Sequence, residues 1–300
     1  FQTFITKQLL AKKAPKAVYQ KKLTNKKESQ FEMIKRLELS KNDHIKLIQY
    51  CKNKNIEFLS TPFDIPSIDF LISLKLKKIK IPSSEINNIL YLNNISKFKG
   101  HIILSTGMST INEISNALNI LLKNGVKRNF ITILHCNSEY PTPFKDVNLL
   151  AMLEIKKKFR TKIGYSDHTR GIEVPIAAVA IGANVIEKHF TLNRNMTGPD
   201  HQASLNPKEL KEMVTAIRNT EIALGSNKKI ISYSEKKNIK TTRKSIIAIQ
   251  KIKKGERFTS QNISAKRPGT GISPMKFYQL IGKKSKRTYR EDELLNFKEL

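Results

Sequence analysis

Tryptophan is absent from this chain and cysteine nearly so, with Cys51 and Cys136 the two thiols in 300 residues. Two thiols so far apart build neither a disulfide framework nor a zinc cluster, which points to a reducing, cytoplasmic compartment. Long apolar runs are missing as well. None approaches the ~18 residues of a membrane span, and nothing at the start resembles a signal peptide. Neither G-x-G-x-x-G nor G-x-x-x-x-G-K-[ST] occurs, which weakens a dinucleotide or nucleotide reading. Acidic residues are scarce, 25 against 55 Lys and Arg, for a formal net charge of +30. Such an excess often marks a nucleic-acid surface. Here the lysines are scattered over almost every segment without the aromatic interleaving of a single-strand groove, so they read as solvated faces and no nucleic acid is expected.

What the chain does have is regularity. Strand-like runs at 56–60, 77–81, 101–104, 130–134, 162–165 and 184–188 are each followed by a segment that can be helical. The first five residues read as the tail of a further strand, as though the chain begins inside one. This alternation predicts a parallel sheet wrapped by helices. Polar side chains stand at every strand end, whereas a doubly wound sheet concentrates its ligands at one switch point. The expected fold is therefore α/β, a (β/α)8 TIM barrel over 1–225 with its N-terminal strand or strands missing from this chain. A polar, lysine-rich linker at 226–242 and a small domain of short strands and turns at 243–300 complete it.

The segment 164–191 reads as one βαβ unit, with His168 just past its first strand and His189 near the end of its second. Parallel strands joined by a right-handed crossover point the same way, so the two imidazoles should meet at one rim. There they form a candidate divalent metal site, the alternative being two ordinary structural histidines. Lys80, Ser83, Ser105 and Ser166 offer donors on the same rim that suit a phosphate or carboxylate, although any one serine could simply cap a helix. Glu85 is a candidate proton-transfer group or else a cap. Asp200, in M-T-G-P-D-H, suits sugar hydroxyls or the metal, or else an Asx-turn.

Six segments share a further pattern: S-T-G-M-S at 105–109, L-H-C-N-S-E-Y-P-T-P-F-K-D-V-N-L at 134–149, G-Y-S-D-H-T at 164–169, E-K-H-F-T at 187–191, G-P-D-H at 198–201 and K-R-P-G-T-G-I-S-P at 266–274. In this order they resemble the N-acetylneuraminate (sialic acid) synthase family over essentially the whole chain. The resemblance implies a barrel synthase with a C-terminal antifreeze-like (SAF) domain, acting as a domain-swapped homodimer of surface-polysaccharide biosynthesis. It further implies condensation of phosphoenolpyruvate with N-acetylmannosamine and water, dependent on Mn2+ or Mg2+. His168 and His189 become the metal ligands, and Thr61, Lys80, Ser83, Ser105, Ser138 and Ser166 hold phosphoenolpyruvate. Glu85 becomes the acid/base group, Gln2, Tyr140 and Asp200 bind the amino sugar, and Arg267 reaches the active site of the partner subunit. The family's first strand, and the lysine ahead of its F-Q-T-F run, are not in this chain, and Ser138 stands where some members have Asn. The same motifs are compatible with a 2,4-diacetamido-trideoxy acceptor, that of an N,N'-diacetyllegionaminate synthase, and less so with pseudaminic acid synthesis. Rivals of another kind are a non-catalytic glycan-binding protein and a metal-dependent barrel aldolase that uses pyruvate.

Overall fold

The computed structural model describes residues 1–300 apart from 18–19, 22–23 and 25–27, so part of the lysine-rich stretch after the first strand lies outside the described residues. The chain divides into two compact units, Phe1–Gly225 and Ser226–Leu300, each with its own apolar core.

The first unit is built on parallel strands. β1 (Gln2–Thr3) pairs with β2 (Thr61–Pro62). β3 (Lys78–Ile81), β4 (His101–Ser105), β5 (Ile131–Cys136), β6 (Lys162–Asp167) and β7 (Val185–Lys188) form a second sheet in sequential order. Parallel neighbours need crossovers, and helices such as Ile89–Ile95, Ile111–Lys123, Ala151–Phe159 and Glu173–Ala180 supply them. The result is a curled half-barrel. Eight strands in a closed ring are the sequence expectation; among the described residues the parallel strands number seven, in two sheets. The run at 56–60 forms no ladder, because β1 meets its neighbour immediately after it, at Thr61 and Pro62.

Period-two alternation divides the sheet into two faces. Ile79, Ile81, Ile102, Leu104, Ile131, Ile133, Ile163 and Tyr165 all join the core beneath the helices, packing on residues such as Leu71, Leu92, Leu118, Leu121 and Ile155. The intervening residues Lys80, Ser105, Cys136 and Ser166 face the concave side and line a cavity there. Strand parity thus separates these cavity residues from the core beneath the helices.

Helix starts follow local chemistry. Ser40 caps Lys41–Asn53 through a reciprocal box with Asp43. Asp64 caps Ile65–Ser73 by accepting the Ser67 N–H at 2.8 Å, and its other oxygen accepts the Ile5 N–H at 2.7 Å. One buried carboxylate therefore ties the exit of β1 to the helix after β2. Asp64→Ala should lower the stability measured by urea unfolding by about 2–3 kcal/mol, the loss of a cap plus a charge-assisted hydrogen bond. A change below about 0.5 kcal/mol, the range of ordinary surface substitutions, would show that this tie does not hold the unit together.

The second unit opens with a helix, Tyr233–Thr242, capped by Ser232 and Glu235, where the sequence reads as a polar linker. β8 (Ser245–Ala248) and β9 (Ile263–Lys266) then pair antiparallel over a core that includes Ile246, Phe258, Tyr289 and Leu295. No helix among the described residues is long and apolar enough to cross a membrane.

Candidate functional site

The concave face of the first unit holds a cavity of about 810 Å3. Gln2, Thr61, Lys80, Ser83, Ser105, Ser138, Tyr140, Ser166, His168 and His189 all line it, so residues from successive strand ends converge as the sequence anticipates. Glu85 does not. It sits in the turn Ser83–Glu85, buried, where its carboxylate accepts from Asn88 Nδ2 at 2.7 Å and from the Ser84 hydroxyl at 3.3 Å. The short turn after β3 points Ser83 inward and carries Glu85 round to the next helix. Asp200 lies behind His189, its Oδ2 3.7 Å from Nδ1. Arg267 belongs to the second unit, where its Nε donates to the Thr242 carbonyl at 3.0 Å and it lines a cavity of about 770 Å3 with Lys266, Asp292 and Glu293.

One end of the main cavity is an anion cradle. Lys80 is nearly buried, and Ser83 Oγ accepts the Gly107 N–H at 2.9 Å. A Cβ at Gly107 would fall 2.2 Å from Ser138 Oγ and 3.0 Å from Ser83 Oγ, so only glycine lets both hydroxyls approach. Ser105 Oγ is fully buried and has no hydrogen-bond partner within the protein. An orphaned hydroxyl costs free energy unless something fills its place, and at a cavity wall beside a lysine an anionic oxygen would.

The two imidazoles meet edge to face on the same cavity wall. Their ring centroids are 5.4 Å apart, and Tyr140 packs 4.1 Å from His168 and 5.5 Å from His189. His168 Nδ1 lies 2.6 Å from the Asn137 carbonyl, which assigns the proton to Nδ1 and leaves Nε2 with a free lone pair. Burial pushes His168 down to about 4, with the neighbouring His189 adding to the effect, so the ring is neutral at pH 7. Burial raises the Asp200 carboxyl, opposed by His189 and His201. A neutral imidazole with one nitrogen anchored, facing a second imidazole backed by a carboxylate, suits a divalent cation. Among the described residues no third His, Cys, Asp or Glu completes a cluster, so such an ion would keep positions open for substrate.

Two cavity residues escape the motif-by-motif reading. Glu187 receives the Ser166 hydroxyl at 2.6 Å and lies 3.4 Å from Lys80 Nζ. Burial pushes its carboxyl up, but Lys80 and the Ser166 hydroxyl outweigh that and hold it below the ordinary range. Strand parity carries the missing signal, since Glu187 stands two residues before His189 and therefore on the same face. The Cys136 thiol lies 3.8 Å from His168 Nδ1 and is pushed up by burial, which makes it inert wall. By contrast, His135 of the same motif is held by the Val147 carbonyl at 2.9 Å and serves packing.

Residues 1–229 match the NeuB family and residues 243–300 the SAF domain. An N,N'-diacetyllegionaminic acid synthase of Campylobacter jejuni is 53% identical, over 98% of this chain and 88% of that protein. Another, from Legionella pneumophila, is 43% identical over 94% and 80% respectively. Among solved structures, an N-acetylneuraminic acid (sialic acid) synthetase from Leptospira borgpetersenii in complex with citrate superposes with a TM-score of 0.69 at 34% identity, covering 80% of this chain and 78% of that one.

Proposed function

Since the chain belongs to the NeuB family and is an enzyme of nonulosonic acid synthesis, we propose that it condenses phosphoenolpyruvate and water with a 2,4-diacetamido-2,4,6-trideoxy sugar, forming N,N'-diacetyllegionaminic acid and phosphate. The observation that carries the chemistry is a single cavity holding Lys80 and an orphaned Ser105 hydroxyl together with a pair of facing histidines. The family resemblance implies N-acetylmannosamine as acceptor, while the motifs are compatible with either sugar. Identity of 53% and 43% to two legionaminic acid synthases, against 34% to a sialic acid synthetase, weighs for the diacetamido sugar.

Lys80, Ser83, Ser105 and Ser166 orient the phosphate and carboxylate of phosphoenolpyruvate and offset their charge, with Thr61 and Ser138 at the margin. Gln2, Tyr140 and Asp200 hold the open-chain sugar with its carbonyl towards the histidines. A divalent cation, Mn2+ or Mg2+, held by His168 and His189 supplies Lewis-acid polarisation of that carbonyl when bound. The enol methylene carbon forms the new bond to the carbonyl carbon, whose oxygen takes up a proton. Water adds to the enol carbon that bears phosphate, and Glu187, ionised and beside Lys80, accepts the proton it sheds. The carbon–oxygen bond to phosphate then breaks, phosphate leaving with the electron pair as the added hydroxyl gives up its proton and becomes the product's ketone. The closed barrel over 1–225, the linker at 226–242, the SAF domain at 243–300 with Arg267 serving the acceptor site, a domain-swapped homodimer and a cytoplasmic location belong to the same proposal.

Phosphate release from phosphoenolpyruvate, measured with Mn2+ and each sugar in turn, tests it. Turnover with the diacetamido sugar should exceed that with N-acetylmannosamine at least about tenfold in kcat/KM. Preference for N-acetylmannosamine would return the assignment to sialic acid synthesis. No release with either sugar would favour a glycan-binding role, and turnover of pyruvate instead would favour an aldolase.

A further inference from the structure

We propose that Asp167 and Lys188 form a clasp that fixes the spacing of the two imidazoles, acting as positioning residues for the cation; the inference rests on the metal reading above. Each stands one residue before a histidine, Asp167 before His168 and Lys188 before His189. They are direct partners in the β6–β7 ladder, and its last ones. Lys188 Nζ donates to Asp167 Oδ2 at 2.5 Å and to the Thr169 carbonyl at 2.6 Å. Asp167 in turn accepts the Thr169 N–H at 2.9 Å and its hydroxyl at 3.1 Å. The side chains are only 3% and 0% exposed.

Beyond this pair the two strands part. The chain after His168 enters the turns that lead to helix Glu173–Ala180, while the His189 carbonyl and Phe190 pair with Leu205. The clasp is therefore the last tie between the two backbones before each histidine, and it lies within one residue of both. Parity places Asp167 on the face opposite Ser166 and His168. Lys188 borders the cavity, but its ammonium is committed to Asp167 and the Thr169 carbonyl. A buried ion pair is a poor device for stability, because an apolar pair of similar volume usually does as well or better. What it does provide is one permitted register, and a slip of either strand by one residue would turn that strand's histidine to the wrong face.

The test is a titration of metal-free protein with Mn2+, followed by the electron paramagnetic resonance signal of the free ion, beside thermal unfolding of the same metal-free samples. The double variant Asp167→Asn/Lys188→Met leaves no lone buried charge. It should bind Mn2+ about tenfold or more weakly while its metal-free melting temperature stays within a few degrees of wild type. Lys188→Arg, which keeps the charge and several donors, should stay within about threefold of wild-type affinity. Wild-type affinity in the double variant overturns the clasp. So does a metal-free double variant that fails to fold, since the pair would then support the domain and not the ring spacing. Equal weakening by Lys188→Arg also overturns it, because retained charge would then bring no rescue. A different result marks failure of the underlying reading: if His168→Ala binds Mn2+ as tightly as wild type, the ion lies elsewhere and the clasp falls with it.

Discussion

His168→Ala is expected to lower kcat/KM by about a thousandfold. Lewis-acid polarisation of a carbonyl is worth several kcal/mol in the transition state, and ~4 kcal/mol corresponds to that factor. The ring is buried, and its Nδ1 is committed to the Asn137 carbonyl 2.6 Å away, so it offers Nε2 in one fixed direction that no neighbouring side chain reproduces. Stability should change far less. The Asn137 carbonyl loses one hydrogen bond, worth about 1 kcal/mol, and Tyr140 loses a packing partner at 4.1 Å. The measurement pairs steady-state kinetics at saturating Mn2+ with urea unfolding of the same protein. A loss of activity that merely tracks a loss of folded protein would reduce His168 to the ordinary structural histidine its sequence context also allows.

How much of this arrangement is legible from residues alone depends on which interaction decides each placement. The β–α alternation is readable because apolar residues at every second position in β3 to β6 must bury one face, as Ile79, Ile102, Ile133 and Ile163 do. The convergence of His168 and His189 is readable for the same reason, since β6 and β7 run parallel in register. Strand length is less so. The 56–60 run has strand-like composition, yet the ladder forms at Thr61 and Pro62 because that is where β1 lies, and pairing across a large sequence separation leaves no local trace. Helix Tyr233–Thr242 is hidden by its polarity, with no buried residue to generate a periodic apolar stripe; its capping box is the only local signal. Glu85 is a third kind of case, a candidate that does not line the cavity. Sequence puts it next to the cavity-lining Ser83, but a tight turn rotates successive side chains through large angles, and two residues suffice to send its carboxylate to Asn88.

That rotation decides between two carboxylates. Glu187→Gln should lower kcat by about 10^2- to 10^4-fold, the usual contribution of a positioned proton acceptor, whereas Glu85→Gln should stay within about threefold. Glutamine at 187 keeps the volume and can still accept from Ser166, so the change isolates charge and basicity. Adding water to the enol carbon requires a base at the cavity wall, and Glu187 is held ionised there by Lys80 and Ser166 against the opposing pull of burial. The same carboxylate competes with an incoming anion for Lys80, 3.4 Å away, so the glutamine variant should bind phosphoenolpyruvate as tightly as wild type or more so. A fall in kcat with an unchanged or lower KM for phosphoenolpyruvate is the signature of a group that works in the transition state while slightly hindering ground-state binding. Were Glu85→Gln the more damaging of the two, the turn after β3 would have to reopen during catalysis and swing that carboxylate into the cavity, breaking its 2.7 Å bond to Asn88 on the way.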